Sequence, residues 1–213
     1  MYTPPMRWMF LLCVLLAVTY AGAQSKLQTF TSRDGAFTFR YSSRLVECEQ
    51  KPAQRGAWGP AQSCSAVAPV CDDLSSPATT TVACIAYPKN AQERTNLQAA
   101  AFSVAEDHAA GNAKACLSSS PDWAPDQKAL GKKVINGQRF QAFETSEVAM
   151  GTGLESRIYR SFRNGECYSL AVRTAWSNPG NFDPGAIRVL TRKQEREISD
   201  QFDEVLQSFR FKK

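Results

Sequence analysis

The sequence predicts an α+β domain in which two helices pack on a mostly antiparallel sheet that disulfides staple together. Two Asn-Gly dipeptides, at 136–137 and 164–165, join runs of alternating polar and apolar residues, a pattern typical of β-hairpins. Apolar stripes with helical spacing predict one helix over residues 96–110 and another near the C-terminus. Six cysteines follow an N-terminal segment with the features of a secretory signal, and exported proteins keep such cysteines as disulfides.

Residues 1–23 have the three parts of a cleavable signal peptide. Arg7 is the only charged residue of this segment, an apolar run covers residues 8–20, and small residues occupy 21–23. The run is shorter than the roughly 20 residues that a membrane-spanning helix needs, which disfavours an uncleaved anchor. We therefore expect a secreted or periplasmic protein, without stable membrane insertion after cleavage, in which residues 24–213 form a single α+β domain.

The first elements after the signal are predicted to be a hairpin, a long loop and a strand. Within residues 27–41 an Asp-Gly turn precedes a Phe-x-Phe-x-Tyr alternation, which predicts a β-hairpin. Residues 47–80 are rich in Pro, Ser, Gly and Ala, so we expect a Cys-rich loop held by disulfides. A strand over 81–87 follows this loop.

The helix predicted over residues 96–110 rests on an alanine-rich stripe. Its apolar members recur at spacings of three and four, as on one face of a helix. They are Leu97, Ala100, Ala101, Val104 and Ala105, with His108 on the same stripe. Gly111 would end the helix.

Residues 132–174 predict an antiparallel meander of four strands. The Asn-Gly dipeptides accept the positive φ angles of type I′ turns, and residues 151–153 form the turn between the second and third strands. At the C-terminal end, Thr191 and Gln194 make a capping box ahead of an apolar stripe. Residues 209–211 are expected to form a last short strand.

The cysteines are predicted to form disulfides rather than a metal site. Four lie between positions 48 and 84, so we expect local pairs there and a long-range bridge between the other two. There is no Cys-x-x-Cys pair and only one histidine, which argues against zinc. We predict no metal ligand and no cofactor, and assign to disulfides Cys48, Cys64, Cys71, Cys84, Cys116 and Cys167.

Composition and motifs exclude several functional classes. The 25 Lys and Arg residues outnumber the 20 Asp and Glu residues, giving a net charge of +5, but they are scattered rather than gathered in one stripe. We therefore expect no nucleic acid partner. The chain has neither a Gly-x-Ser-x-Gly elbow nor a Gly-rich phosphate loop. His108 is expected to be structural or partly exposed near a helix end, and no catalytic residue is predicted.

The two ends of the chain resemble PsbP/Mog1-like domains. Phe30-Thr31-Ser32-Arg33-Asp34-Gly35-Ala36-Phe37-Thr38-Phe39-Arg40-Tyr41 is similar to their first hairpin, with its Asp-Gly turn and Phe-x-Phe-x-Tyr strand. The segment 202–211 is similar to their last helix and terminal strand. The chain departs from the family at residues 42–45, where Pro and Trp are usual, and in its Cys-rich loop. Members range from photosystem assembly to binding a small GTPase, so the resemblance implies a binding or accessory role.

Three tryptophans in loops with Pro or Gly are the candidate binding surface: Trp58, Trp123 and Trp176. The leading hypothesis is a secreted, non-catalytic binding or accessory protein of the cell envelope or exterior, whose partner is a protein or a small ligand. A structural envelope component, marked by a large exposed apolar patch, is one alternative. The other is a small extracytoplasmic hydrolase with two carboxylates in one cleft, drawn from Glu144, Glu147, Glu155 and Glu166.

Overall fold

The computed structural model describes residues 26–48, 70–71, 79–88, 93–118, 127–149 and 151–212, which form ten strands and two α-helices. The strands are β1 (Leu27–Thr31), β2 (Phe37–Ser42), β3 (Val46–Glu47), β4 (Thr79–Ala86), β5 (Leu97–Asp107), β6 (Lys128–Ile135), β7 (Gln138–Ala149), β8 (Thr152–Arg163), β9 (Glu166–Ser177) and β10 (Arg210–Phe211). The helices are α1 (Ala113–Leu117) and α2 (Arg192–Ser208). The predicted fold class, a mostly antiparallel, disulfide-stapled α+β domain with two helices, is confirmed.

The strands belong to two antiparallel sheets. Seven pair in the order β3-β4-β5-β9-β8-β7-β6, and three in the order β1-β2-β10. Because successive residues of a strand point to opposite faces, the seven-stranded sheet has two chemically distinct sides. We call the side that carries Phe102 and Leu170, on which α2 packs, the helix face. We call the other side the cystine face, because Cys84 and Cys167 attach their disulfides there.

The main hydrophobic core fills the helix face. The three-stranded sheet packs on it, and the Phe39 ring meets Phe102 edge-on at a centroid distance of 5.1 Å. The predicted capping box of Thr191 and Gln194 begins α2. The helix buries one apolar stripe, worth about 1.5–3 kcal/mol for each large side chain fully removed from water: Ile198, Phe202, Val205 and Leu206. No helix within the described residues is long and apolar enough to cross a membrane.

The predicted hairpins and the C-terminal strand are confirmed. Asn136 and Asn164 have φ angles of 47° and 53°, and the glycines that follow them have 81° and 87°. Type I′ turns require positive φ at both central positions, which is why Asn-Gly connects β6 to β7 and β8 to β9. The Asp-Gly turn likewise joins β1 to β2, and the last strand pairs with β2.

The helix predicted over residues 96–110 is wrong. This segment contains β5, which lies between β4 and β9, while the short helix α1 follows it. A strand buried on both faces has apolar residues at consecutive positions, so helical spacings occur within it by necessity. Pairing with two neighbouring strands outweighs the helix propensity of alanine. His108 consequently lies in the turn after a strand and not at a helix end.

Disulfides hold other segments of the chain on the two ends of the cystine face. Cys71–Cys84 attaches residues 70–71 at one end, and Cys116–Cys167 attaches α1 at the other. Small apolar clusters surround each bridge. Between them lies a set of buried polar side chains, which we call the polar strip: Ser103, Thr145, Ser156, Arg160, Ser169 and Arg173.

Candidate binding surface

Trp176 is the one member of the predicted tryptophan surface within the described residues. It lies near the end of β9, directly opposite Gly153 of β8, which in turn is opposite Val148 of β7. The indole ring occupies the space that a side chain at Gly153 would need. Val148, on the far side of the glycine, is 69% exposed. The glycine thus seats the ring beside an exposed apolar neighbour.

The loop over residues 178–190 adds further apolar surface at the same end of the sheet. The backbone N–H of Asn178 donates to the carbonyl of Gly151 at 2.7 Å, which holds the loop against the turn between β7 and β8. The loop carries two exposed apolar side chains, Phe182 at 44% and Val189. We define the Trp176 end as Val148, Trp176, Phe182 and Val189.

Trp58 and Trp123 lie outside the described residues. The meeting of all three tryptophan loops at one surface therefore stays a prediction, and only the Trp176 end can be argued from the structure.

The disulfide predictions are confirmed where the structure describes the cysteines. Cys71 pairs locally with Cys84, thirteen residues away, and Cys116 pairs with Cys167 across fifty-one residues. Cys48 is also disulfide-bonded, and Cys64 lies outside the described residues. Disulfides of this kind are typical of an oxidising compartment, which favours an extracytoplasmic protein.

The sulfur atoms of Cys48, Cys71 and Cys84 lie within 4.8 Å of one another, a spacing that could suggest a metal centre. All three are oxidised in disulfides, however. A metal ion binds a cysteine thiolate and not a disulfide. These three cysteines are therefore closely spaced disulfide partners in a small apolar cluster, and they offer no ligands for a metal ion.

His108 pairs with Glu166 on open surface. Its Nδ1 lies 3.2 Å from a Glu166 carboxylate oxygen, and both side chains are about half exposed. Glu106 is near this pair, and its pKa is raised, chiefly because the carboxyl is partly buried and also through repulsion from Asp34. The arrangement fits the expected partly exposed histidine, with the helix end replaced by the turn after β5.

The four carboxylates of the hydrolase alternative do not share a cleft. Strand register places Glu144 and Glu155 on the helix face and Glu147 on the cystine face. All three are exposed, and Glu144 lies 3.9 Å from the Lys128 ammonium. Glu166 is at the opposite end of the sheet, beside the turn between β8 and β9. Paired acid and base carboxyls must face one substrate in a cleft. Glu144 and Glu155 are diagonal neighbours on the helix face, but both are exposed and neither lines the groove between β2 and α2.

A groove of about 310 Å³ lies between β2 and α2. Arg40 and Glu204 give its lining opposite charges, and the Ser208 hydroxyl, also in the lining, accepts from the Arg40 backbone N–H at 2.7 Å. The groove contains neither His108 nor any of the four carboxylates.

Sequence reasoning missed the polar strip on the cystine face. The Arg173 guanidinium is buried and donates to the Ser103 hydroxyl at 3.0 Å. Arg160 is buried as well. A signal was present: Arg160 stands between Ile158 and Phe162 in the alternation of β8, which places its stem on the same face as two large apolar residues.

No family model matches the chain, and no curated protein matches it in sequence. Three solved structures are similar to it in fold. LpqN, described as involved in cell envelope biogenesis of Mycobacterium tuberculosis, is 9% identical with a TM-score of 0.43, over 90% of this chain and 94% of LpqN. A protein from Bacteroides thetaiotaomicron VPI-5482 is 10% identical with a TM-score of 0.42, over 87% of this chain and 48% of that protein.

The third structure is the cyanobacterial PsbP (CyanoP) from Synechocystis sp. PCC 6803. It is 11% identical with a TM-score of 0.42, over 93% of this chain and 99% of CyanoP. A PsbP is thus among the solved structures that match. At these identities and TM-scores, the three similarities carry no argument about what this chain binds or does.

Proposed function

We propose that the chain is an extracytoplasmic, non-catalytic binding or accessory protein of the cell envelope or exterior, and that its partner docks on the Trp176 end. The observation that carries this proposal is the seating of Trp176 over Gly153, beside the exposed side chain of Val148. The disulfides, which need an oxidising compartment, support the location.

The Trp176 end has the composition of a small protein-binding surface. Tryptophan is enriched among the residues that dominate binding energy, because it buries a large apolar area at little cost in side-chain entropy. The ring is half-buried and fixed by the glycine beneath it, so a partner need not order it. The exposed Phe182 and Val189 add apolar area, and Asp183 and Arg188 beside them supply a polar rim.

The exposed position of His108 supports a binding role and not a catalytic one. A general base acts from a site that positions its substrate and excludes water. The His108–Glu166 pair is half exposed on both sides and lies outside the groove between β2 and α2. A protein partner with an apolar segment suits the Trp176 end better than a small ligand, because the exposed residues form an end surface and not an enclosed cavity.

Site-specific photocrosslinking tests the proposal. p-Benzoylphenylalanine replaces Val148 in one variant and Val134 in a matched control, which is 65% exposed on β6. Irradiation of the organism that exports the protein should give a discrete adduct from position 148. The control position should give an adduct several-fold weaker.

Trp176→Ala in the position-148 variant should reduce that adduct while the melting temperature stays close to that of the parent. Equal labelling at both positions, or an adduct that persists without Trp176, would remove the support for docking at this end. A ladder of multiples of the chain itself would instead favour a structural envelope component.

A further inference from the structure

Arg160 places a largely buried side chain on the cystine face. The residue is only 7% exposed, and its guanidinium, whose nitrogens reach the protein surface, makes no hydrogen bond or ion pair to any of the described parts of the chain. Arginine stays protonated at every physiological pH, so this charge cannot be relieved by loss of a proton. A buried cation is strongly disfavoured unless an anion or several acceptors meet it.

Other arginines of the same sheet are satisfied. The Arg157 guanidinium, on the helix face of the same strand, donates to Asp203 at 2.7 Å and lies within 3.4 Å of the Ser199 hydroxyl. Arg173, on the cystine face, donates to Ser103. Arg160 therefore differs from the other two arginines in lacking a partner among the described residues.

Strand register places three other hydrogen-bonding side chains in line with Arg160. Lys132 of β6 is opposite Gln141 of β7, Gln141 is opposite Arg160 of β8, and Arg160 is opposite Ser169 of β9. Directly opposed residues share a face and have Cβ atoms about 4.5–5.5 Å apart. We call these four residues the donor row.

Exposure falls steadily along the donor row. Lys132 is exposed on the edge strand, Gln141 is half-buried, and Arg160 and Ser169 are buried. Ser169 is 3% exposed, and within the described residues its hydroxyl has no hydrogen-bond partner. The row thus leads from solvent at the β6 edge to two buried groups that both lack a partner there.

Among the described residues, those around the donor row carry mainly positive charge. Arg139, two residues before Gln141, is exposed on the same face, and the row contains no carboxylate. Of the acidic residues that register places on the cystine face, Glu147 is exposed at the far end of β7, and Asp107 accepts from the backbone N–H of Ala109. Neither lies in the row.

We propose that the donor row binds a phosphate-class oxyanion, with Arg160 and Ser169 as its inner ligands and Gln141 and Lys132 toward the entrance. A guanidinium offers a planar fork of N–H donors that matches two oxygens of one anion. The serine hydroxyl, the glutamine amide and the lysine ammonium approach from neighbouring strands, which suits a tetrahedral anion with more than two oxygens. This site is separate from the Trp176 end and does not depend on it.

Isothermal titration of the mature protein with inorganic phosphate tests the proposal, with chloride at equal ionic strength as the reference. Arg160→Gln should abolish the heat of binding. Arg160→Lys should weaken affinity about tenfold or more, because an ammonium replaces a guanidinium that donates two parallel hydrogen bonds to one anion. Ser169→Ala should weaken it by a smaller factor. Arg157→Gln is the matched control, since it removes the same charge from the same strand on the other face, and it should leave phosphate affinity unchanged.

Two further ligands distinguish the source of the phosphate group. Glycerol 3-phosphate represents a free phosphomonoester, and vesicles of phosphatidylglycerol represent a lipid headgroup. Binding of any of the three that Arg160→Gln removes and Arg157→Gln preserves supports the site. Absence of binding by all three, or equal loss in both variants, overturns it. If Arg160→Gln fails to fold, Arg160→Lys takes its place: a loss of affinity of about tenfold or more that Arg157→Gln does not share supports the site, and equal affinity in both variants overturns it.

Discussion

The two faces of the seven-stranded sheet are built from alternate residues of the same strands, yet they are closed in different ways. On the helix face, Phe102 and Leu170 meet α2 and the three-stranded sheet in one continuous apolar core. On the cystine face, Ser103 and Ser169, their neighbours in sequence, lie in the polar strip between two disulfide-linked clusters. One large apolar core stabilises the helix face, whereas small apolar clusters and disulfides stabilise the cystine face.

The difference between the two faces explains why the buried arginines lie on the cystine face. The apolar residues of the cystine face form only small clusters, of which Phe143, Ile158 and Ala171 make the middle one, so this face gains less from the hydrophobic effect than the helix face does. Disulfides at both ends supply cohesion that does not depend on one large apolar core. The polar strip is thus free to hold arginines, which a core of the helix-face kind would exclude.

The largest expected loss of stability follows from truncating a side chain in the core of the helix face. Phe102→Ala should lower the free energy of unfolding by about 3–5 kcal/mol, because it opens a cavity among fully buried aromatic rings. Ser103→Ala, one residue along on the cystine face, should cost about 1.5–3 kcal/mol, because Arg173 loses a buried acceptor. Urea titration with the disulfides intact measures both. Equal losses would show that the faces are not held differently.

The second prediction is that the two disulfides of the cystine face contribute different amounts to stability. In the chain-entropy account, removal of Cys116–Cys167 by double alanine substitution should cost about 4 kcal/mol, and removal of Cys71–Cys84 about 3 kcal/mol, because the first closes the longer loop. Thermal unfolding of both variants against the parent measures the difference. A melting temperature unchanged by loss of either bridge would contradict the view that covalent linkage holds this face.

The smallest effect concerns pH and the helix face. Burial, with repulsion from Asp34 and Glu166, holds the pKa of Glu106 above its ordinary value. A raised folded-state pKa means that the carboxyl favours folding while protonated and that this contribution is lost as pH rises through the folded pKa. Glu106→Gln should therefore be slightly more stable than the parent at about pH 7, and the gap should close below about pH 4. A gap that widens on acidification would contradict the sign.

Local chemistry made some of these features predictable from sequence. Asn136 and Asn164 precede glycines at turns that demand positive φ, so two residues fix each hairpin without help from the rest of the fold. The capping box of Thr191 and Gln194 is equally local, since each group bonds within one helical turn. The pairing of Cys116 with Cys167 followed from the clustering of the other cysteines.

Long-range pairing was not predictable in the same way. The segment from Ala99 to Ala105 is apolar at nearly every position, and only its place between β4 and β9 makes it a strand. The buried state of Arg160 depends on the register of β8 against both neighbours and on what covers the sheet, neither of which one strand reveals. The candidate site on the cystine face therefore depends on the structure, while Trp176 could be nominated from the sequence.

The central claim is that the cystine face, unlike the helix face, buries an arginine for which the described chain supplies no partner. The direct measurement is the change in the free energy of unfolding of Arg160→Gln and Arg157→Gln, obtained from thermal melts in phosphate-free buffer. Arg157→Gln should cost about 0.2–1 kcal/mol, as expected when a partly exposed ion pair to Asp203 is lost. Arg160→Gln should be neutral or stabilising, because it removes a charge that is largely withdrawn from water and has no partner among the described residues. A loss of about 3 kcal/mol or more for Arg160→Gln would show that the protein itself holds this guanidinium, and would contradict the claim.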